Sequence, residues 1–129
     1  MSRVANILEG PRTYRVDDAD SVTQLHLVKL NAAFDGVENS GATDDVVGIA
    51  LSTIDTAANG RIHDRVAVQP LDKSVPVRLV ASAAISAGDK LEKAAGGRVA
   101  TASAGEEIGY IAMDDATAAG DVIEAVPFV

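Results

Sequence analysis

The chain has 129 residues, 47% of them apolar and 23% charged, with a formal net charge of −8, no cysteine and no tryptophan. That length gives one domain with a core of modest size, and the balance is that of a globular chain, not a disordered one. The acidic excess excludes nucleic acid and anionic membranes as partners, because both need clustered Lys and Arg, and the lack of cysteine excludes disulfides, thiolate zinc sites and Cys nucleophiles.

Charge is unevenly placed. Met1 to Val16 hold Arg3, Arg12 and Arg15 against Glu9, and Asp17-Asp18-Ala19-Asp20 follows at once. Gly10-Pro11 breaks any helix attempted across Val4 to Leu8, so Met1 to Val16 is expected to be an extended N-terminal arm, with Asp17 to Val129 as a single β-barrel-like domain. Arg3, Ile7, Leu8, Arg12, Tyr14 and Arg15 give the arm both charge and apolar surface, enough to dock on an acidic surface of its own subunit or of another. The plainer alternative is a frayed terminus. The opening residues contain no apolar signal region, and no apolar run approaches the length of a membrane span, so a soluble, unexported protein is expected.

Val-Thr-Gln-Leu-His-Leu-Val-Lys-Leu within Ser21 to Asn31 favours a strand, with Leu25 and Leu27 on one face and Lys29 spoiling the alternation. Asn31 to Asp45 collects Asp35-Gly36, Asn39, Ser40-Gly41 and Asp44-Asp45, which is loop chemistry. Val46 to Leu51 is apolar on both faces, as a strand covered from both sides would be. Its Gly48 implies close approach of another backbone. Thr56 to Gly60 reads as a turn, and Ile62 to Gln69 as a strand that Pro70 ends or marks as an edge.

From Val75 to Val129, short Val, Ile, Leu and Ala runs alternate with tight turns, and the rest of the chain is organised around this stretch. Val75, Val77, Leu79 and Ala81 share one face and should point inward, with Pro76, Arg78, Val80 and Ser82 outward. Lys90 to Ala94 and Arg98 to Ala102 are expected to form a hairpin around Ala95-Gly96-Gly97, in preference to a short helix that would bury little beyond Leu91. Glu107 to Met113 and Asp121 to Val129 supply two further strands, the latter placed at an edge or ended by Pro127. A faint internal repeat links Val47 to Leu51, Thr56 to Gly60 and Val66 to Val68 with Ile108 to Met113, Thr117 to Gly120 and Val122 to Val126. Two such hairpins suit an all-β fold, a small β-barrel or sandwich of short antiparallel strands. A core of Ala and Val with only 3% aromatics is thin, and a homo-oligomer is a plausible further source of stability.

Val46-Val-Gly-Ile-Ala-Leu, Ala87-Gly-Asp-Lys-Leu-Glu, Gly96-Gly-Arg-Val, and Ile108-Gly-Tyr-Ile-Ala-Met through Ala119-Gly-Asp-Val-Ile-Glu-Ala occur in this order from Leu25 onward. In these stretches the chain resembles the small Ala/Gly/Val-rich capsid decoration, or head cement, proteins of tailed bacteriophages. The resemblance implies a β-barrel-like structural protein of the virion, made in the host cytoplasm. Its place would be the outer surface of the expanded head, as an oligomer at symmetry axes, a trimer being favoured, clamping neighbouring major capsid proteins. It implies no catalytic residue, no cofactor and no metal, and it leaves the first two dozen residues unmatched.

Other chemistry competes for the same residues. Gly88-Asp89-Lys90-Leu91 superficially offers a modifiable lysine at a hairpin tip, as in a lipoyl- or biotinyl-like carrier or a small-ligand-binding β-barrel domain of a cellular protein; a lysine solvating a turn is the simpler reading. His26 and His63, in unrelated strands, make a weak metal pair. Asp44-Asp45 and Asp114-Asp115 lack the alternating ligands and trailing Glu of a calcium loop, so solvated turns are expected there. Gly96-Gly97-Arg98 has no strand-to-helix context for phosphate, and no nucleophile elbow or Ser/His/Asp order marks an enzyme.

Overall fold

A computed structural model of the chain describes residues 12–17, 21–55, 63–71 and 75–128. The strands in chain order are β1 Arg12–Asp17, β2 Ser21–Val22, β3 Leu27–Leu30, β4 Val37–Asn39, β5 Gly48–Ala50, β6 Ile54–Asp55, β7 His63–Gln69, β8 Val77–Val80, β9 Lys90–Lys93, β10 Val99–Thr101, β11 Glu107–Ala112 and β12 Val122–Pro127. They form two five-stranded antiparallel sheets, ordered β1-β7-β5-β3-β4 and β8-β12-β11-β9-β10, beside a small β2-β6 pair. The fold is all-β, as the alternation and the turn chemistry require. Inward positions of each strand are apolar: Val77 and Leu79 in β8, Ile108, Tyr110 and Ala112 in β11, Ile123 and Ala125 in β12 are all buried.

The two sheets are copies of one design. β7, β5, β3, β4 and β1 correspond in order to β12, β11, β9, β10 and β8. The irregular hydrogen bonds repeat as well. Leu25 N–H donates to the Ala50 carbonyl at 2.7 Å, and Gly88 N–H to the Ala112 carbonyl at 2.7 Å. Ala50 N–H returns to the His26 carbonyl and Ala112 N–H to that of Asp89, at 3.0 and 2.9 Å. The turn linking β3 to β4 is closed by Asn31 N–H on the Gly36 carbonyl, and that linking β9 to β10 by Ala94 N–H on the Arg98 carbonyl, both at 2.9 Å. The β2-β6 pairing of Val22 with Ile54 has its counterpart in an isolated bridge between Ile85 and Ala116. In the second unit the outer strands also meet, because Ala81 bridges Val99 and Ser82 N–H donates to the Val99 carbonyl at 2.8 Å, closing the sheet into a small barrel. The repeat read between Val47 and Val68 and between Ile108 and Val126 is therefore one part of a duplication that spans the described chain.

Each unit has a core at matching places. Val16, Val22, Val28, Val37, Ala50 and Val66 fill the first; Ala81, Ile85, Leu91, Val99, Ala112 and Ile123 fill the second. Leu27 and Ile49 belong to strands of the first sheet, yet they pack into the core of the second and join the two units. The second unit reaches back through the short 3-10 turn Ala95–Gly97. Gly97 there has φ 82°, and a β-carbon on it would lie 2.6 Å from the Leu27 carbonyl oxygen and 2.9 Å from the His26 side chain.

Several expectations are met and others are corrected. The hairpin around Ala95-Gly96-Gly97 forms, with Lys93 opposite Val99 and Leu91 opposite Thr101. Gly48 lies against another backbone, since a β-carbon there would sit 2.5 Å from the Gln69 carbonyl oxygen. β5 is buried on both faces. Pro127 ends β12, which lies inside its sheet between β11 and β8. Ser21 to Asn31 is not one strand: it breaks at Gln24-Leu25, where Leu25 takes φ 65° and His26 N–H donates to the Thr23 carbonyl. The stretch from Asn31 to Asp45 is not all loop, because Val37–Asn39 pairs with β3 and buries Val37. Val80 is buried although it was expected outward, and Val75 is 39% exposed. Within the stretch read as an arm, Arg12 to Val16 pair along β7 and bury Val16 completely. The alternation Tyr14, Val16 has the β-propensity and inward face that this strand needs. Met1 to Pro11 and the turn at Thr56 to Gly60 lie outside the described residues.

The two glycines of the 3-10 turn separate conformation from contact. Gly96 has φ 74° with nothing near its missing side chain. Gly96→Ala should cost about 1–2 kcal/mol from the left-handed backbone alone, whereas Gly97→Ala adds overpacking against Leu27 and should cost about 2–5 kcal/mol. Urea unfolding midpoints of the two variants test this; equal midpoints would show that the turn is not pressed onto β3.

Candidate functional site

Two grooves gather contact groups, one built by both units and one by the first unit alone. The larger, about 630 Å³, is lined by Thr23, His26, Asn39, Ser82, Ala95 and Arg98, so both units build it. Its polar groups are held in place. Asn39 Oδ1 accepts from Thr23 N–H and its Nδ2 donates to Thr23 Oγ1, both at 3.1 Å. His26, 7% exposed, places Nδ1 2.9 Å from the Gln24 carbonyl oxygen. A carbonyl only accepts, so Nδ1 is the donor in this contact. The groove is suited to hydrogen-bonding a polar or anionic group, and none of its lining residues is a carboxylate that would orient His26 as a base.

The smaller groove, about 340 Å³, is lined by Lys29, Leu30, Phe34, Glu38, Asp45 and Val47, together with Asp44. Phe34 projects into solvent at 77% exposure and Leu30 at 40%. Asp44 is the organising residue: its Oδ2 lies 3.0 Å from Lys29 Nζ and accepts Gly41 N–H at 2.7 Å, while its carbonyl accepts Lys93 Nζ at 2.5 Å. The Lys93 bond to Asp44 ties the second unit to the loop before β5, and Lys93 also pairs with Glu106 of its own unit at 2.7 Å.

The residues singled out in the sequence fall as follows. Arg3, Ile7 and Leu8 lie outside the described residues. Arg12 begins β1. Tyr14 is half-buried against the first core, and Arg15 is half-buried in mid-strand with its carbonyl against Gly36. Lys90 is exposed at the start of β9, off the hairpin tip, with Nζ 5.0 Å from the centre of the Phe128 ring, a cation-π distance. His26 is buried in the junction groove and His63 begins β7. The paired aspartates are occupied: Asp114 Oδ2 accepts Glu124 N–H and Asp115 Oδ1 accepts Ala87 N–H, at 2.9 and 2.7 Å. Among the described residues no cluster of three His, Cys, Asp or Glu is placed to hold a metal.

What the residue-by-residue reading missed is that carboxylates hold the loops. Asp121 Oδ2 accepts from Thr117 N–H, Thr117 Oγ1 and Ala118 N–H; Asp89 Oδ2 accepts from Ser86 N–H and Thr101 Oγ1; Glu92 Oε2 accepts from Ser103 and Gly105 N–H. The signal was an Asp three or four residues after Gly, Ser or Thr, as in Gly41 to Asp44, Ser86 to Asp89 and Thr117 to Asp121. Hydrogen bonds from Thr117 and Ala118 hold the Asp121 carboxyl below the usual carboxylate range. The hydrogen bond from Lys29, then that from Gly41, lowers Asp44, and the same Lys29 bond raises the lysine.

The sign of that linkage follows. Asp44 stabilises the fold above the ordinary aspartate value of about 3.9 and loses the contribution as pH falls through its lower folded value, while Lys29 contributes below about 10.4 and loses it as pH rises through its raised value. The pair is therefore formed throughout the neutral range. Lys29→Met should move the Asp44 titration, followed by carboxyl NMR, back up toward the ordinary value with the fold intact; an unmoved titration would show that Gly41 alone sets it.

No protein-family profile matches the chain, and no curated protein does. Among solved structures it is similar to the head fiber gp8.5 N base in bacteriophage phi29, with a TM-score of 0.67 and 16% sequence identity, over 92% of this chain and 94% of that one. At that identity the likeness is one of fold, and it extends over nearly the whole of both chains.

Proposed function

We propose that this chain is a structural protein of a tailed-phage head: a decoration or cement protein that binds the outer surface of the expanded shell and stabilises contacts between major capsid proteins, as a homo-oligomer for which a trimer is favoured. The observation that carries this reading is the fold shared with the base of a phage head fiber over 92% of the chain. The sequence resemblance to head decoration proteins, reached from different features, points to the same place. The function needs contact surface and no chemistry, and both grooves present contact groups without a nucleophile-base pair.

The exposed apolar residues support attachment at more than one point. Leu51 follows β5 and donates its N–H to the Ala67 carbonyl; Met113 follows β11 and donates to the Glu124 carbonyl, so the two occupy corresponding places in the two units. They are 36% and 53% exposed, and Val122 at 52% lies on the strand that pairs with β11. One chain thus offers the same kind of apolar contact twice, and an oligomer multiplies it. Weak contacts joined in this way add through effective concentration.

Light scattering on the purified protein should give the mass of a trimer, and the protein should sediment with expanded heads of its own phage; a monomer left in the supernatant would overturn the reading. Met113→Glu should reduce sedimentation with heads several-fold while changing stability by no more than about 0.5 kcal/mol, the usual limit for an exposed site. Undiminished binding would remove Met113 from the contact. Deleting residues 1–16 should unfold the first unit, because β1 and Val16 go with them; for any test of the terminus on heads, residues 1–10 are the ones to delete.

A further inference from the structure

The duplication exposes one residue that its own fold does not explain. In the second unit the left-handed turn positions are glycines: Gly88 at φ 94°, Gly96 at 74° and Gly97 at 82°. In the first unit the corresponding turns use Leu25 at φ 65° and Phe34 at φ 60°. A non-glycine residue in this region costs about 1–2 kcal/mol. Leu25 recovers that cost by packing against the joint core. Phe34 does not, since it stands 77% exposed in a turn closed by its own N–H on the Asn31 carbonyl. An aromatic side chain held outward at the expense of backbone strain is a contact residue waiting for a cover.

The chemistry around Phe34 says what the cover carries. Leu30 and Val47 give the groove an apolar floor, and Glu38, Asp44 and Asp45 line it against Lys29 alone, which Asp44 already holds. Asp35 is exposed beside Phe34. The matching occupant is short, apolar and basic. The segment Met1 to Pro11 carries Arg3 with the apolar Val4, Ile7 and Leu8, and Glu9 after them. It is also attached nearby. A β-carbon on Gly36, in the turn that bears Phe34, would lie 2.7 Å from the Arg15 carbonyl oxygen of β1. Arg12, where β1 begins, is three residues from that contact, about 10 Å along a strand. The eleven residues before it span up to about 36 Å when extended, so tether length does not limit docking, and a short tether gives a millimolar effective concentration without any second molecule.

We infer that the segment Met1 to Pro11 docks within its own copy into the groove of Leu30, Phe34 and Val47, with Ile7 and Leu8 on the apolar floor and Arg3 toward Glu38 and Asp45. Docking of this kind is independent of any capsid partner. It gives the segment a resting place, from which a competing acidic and apolar surface would draw it.

The chain has no cysteine, so Ser2→Cys in the full-length protein gives a single attachment point for a nitroxide. Own-copy docking predicts loss of the amide NMR signals of Leu30, Phe34, Asp35 and Val47 when the label is oxidised, with those of Thr117 and Gly120 retained. Phe34→Gly in the same labelled chain should restore the Leu30 and Val47 signals and keep a folded spectrum, because glycine suits φ 60°. Retained groove signals in the labelled parent would overturn the inference, as would a loss that survives Phe34→Gly. In a mixture of nitrogen-14 labelled chain with nitrogen-15 unlabelled chain, docking in the same copy predicts no loss; loss there would assign the groove to the segment of a second copy and overturn it as stated.

Discussion

The burial of Leu27 and Ile49 in the core of the second unit is the contact on which the rest of the molecule depends. The second unit's core includes Leu79, Ile85, Leu91, Ile108, Tyr110 and Ile123, but the buried core of the first is built from Val and Ala alone, with little volume per residue. A core of that kind gains less from burial than one with aromatics, since stabilisation follows the apolar area removed from water. Leu27 and Ile49 carry the first sheet into the larger core of the second unit, so the thin core of the first does not stand alone. The junction also requires Gly97, because only a residue without a side chain lets the second unit's turn reach the Leu27 carbonyl. Lys93, reaching from β9 to the Asp44 carbonyl, fastens the same seam electrostatically. The larger groove is a direct result of that seam, since residues of both units form its walls.

Where a glycine or a turn residue carried the structure, the fold was legible in the sequence. The hairpin at Gly96-Gly97 and the close approach at Gly48 follow from steric facts that no tertiary context can reverse. The duplication was legible only in part. Its strands at Val47 to Leu51 and Ile108 to Met113 look alike, but the turns before β3 and β9 do not, because one copy puts Leu25 where the other puts Gly88. What the copies share there is a backbone hydrogen bond, from Leu25 to Ala50 and from Gly88 to Ala112, and side chains do not report it. Arg12 to Val16 were hidden for a related reason: Gly10-Pro11 marks where an element stops and says nothing of where the next strand finds its partner, which is β7, some fifty residues on. The acidic groove was not legible at all. Leu30, Phe34 and Asp44 come together only once β3, β4 and the following loop are in register.

The strongly acidic balance has a structural meaning of its own. Five of the acidic side chains, those of Asp44, Asp89, Glu92, Asp115 and Asp121, accept loop N–H groups, and Asp114 accepts that of Glu124 in β12. Short strands need many loops, and loops leave donors unpaired near the surface, where a carboxylate is the strongest acceptor available. Part of the acidic charge thus holds the turns. It follows that the acidic character of the surface is not by itself a sign of a basic partner. Carboxylates gathered around exposed apolar side chains, as at Phe34, are a different case, and the proposed docking rests on them.

Duplication also changes what an attachment protein can do with weak contacts. A single exposed Leu51 or Met113 buries too little area to hold a protein on a surface, and enlarging either patch would invite aggregation of the free protein. Placing the two at corresponding positions in units locked together by Leu27 and Gly97 fixes their separation, so that a surface with matching sites is engaged at both points and one with a single site at only one. Rigidity at the seam is what makes this selective: a flexible linker between the units would let either contact act alone, whereas a fixed spacing rewards only the surface that repeats with it. The constraint that compensates for a thin core therefore also supplies the geometry that the proposed attachment to a regular shell requires.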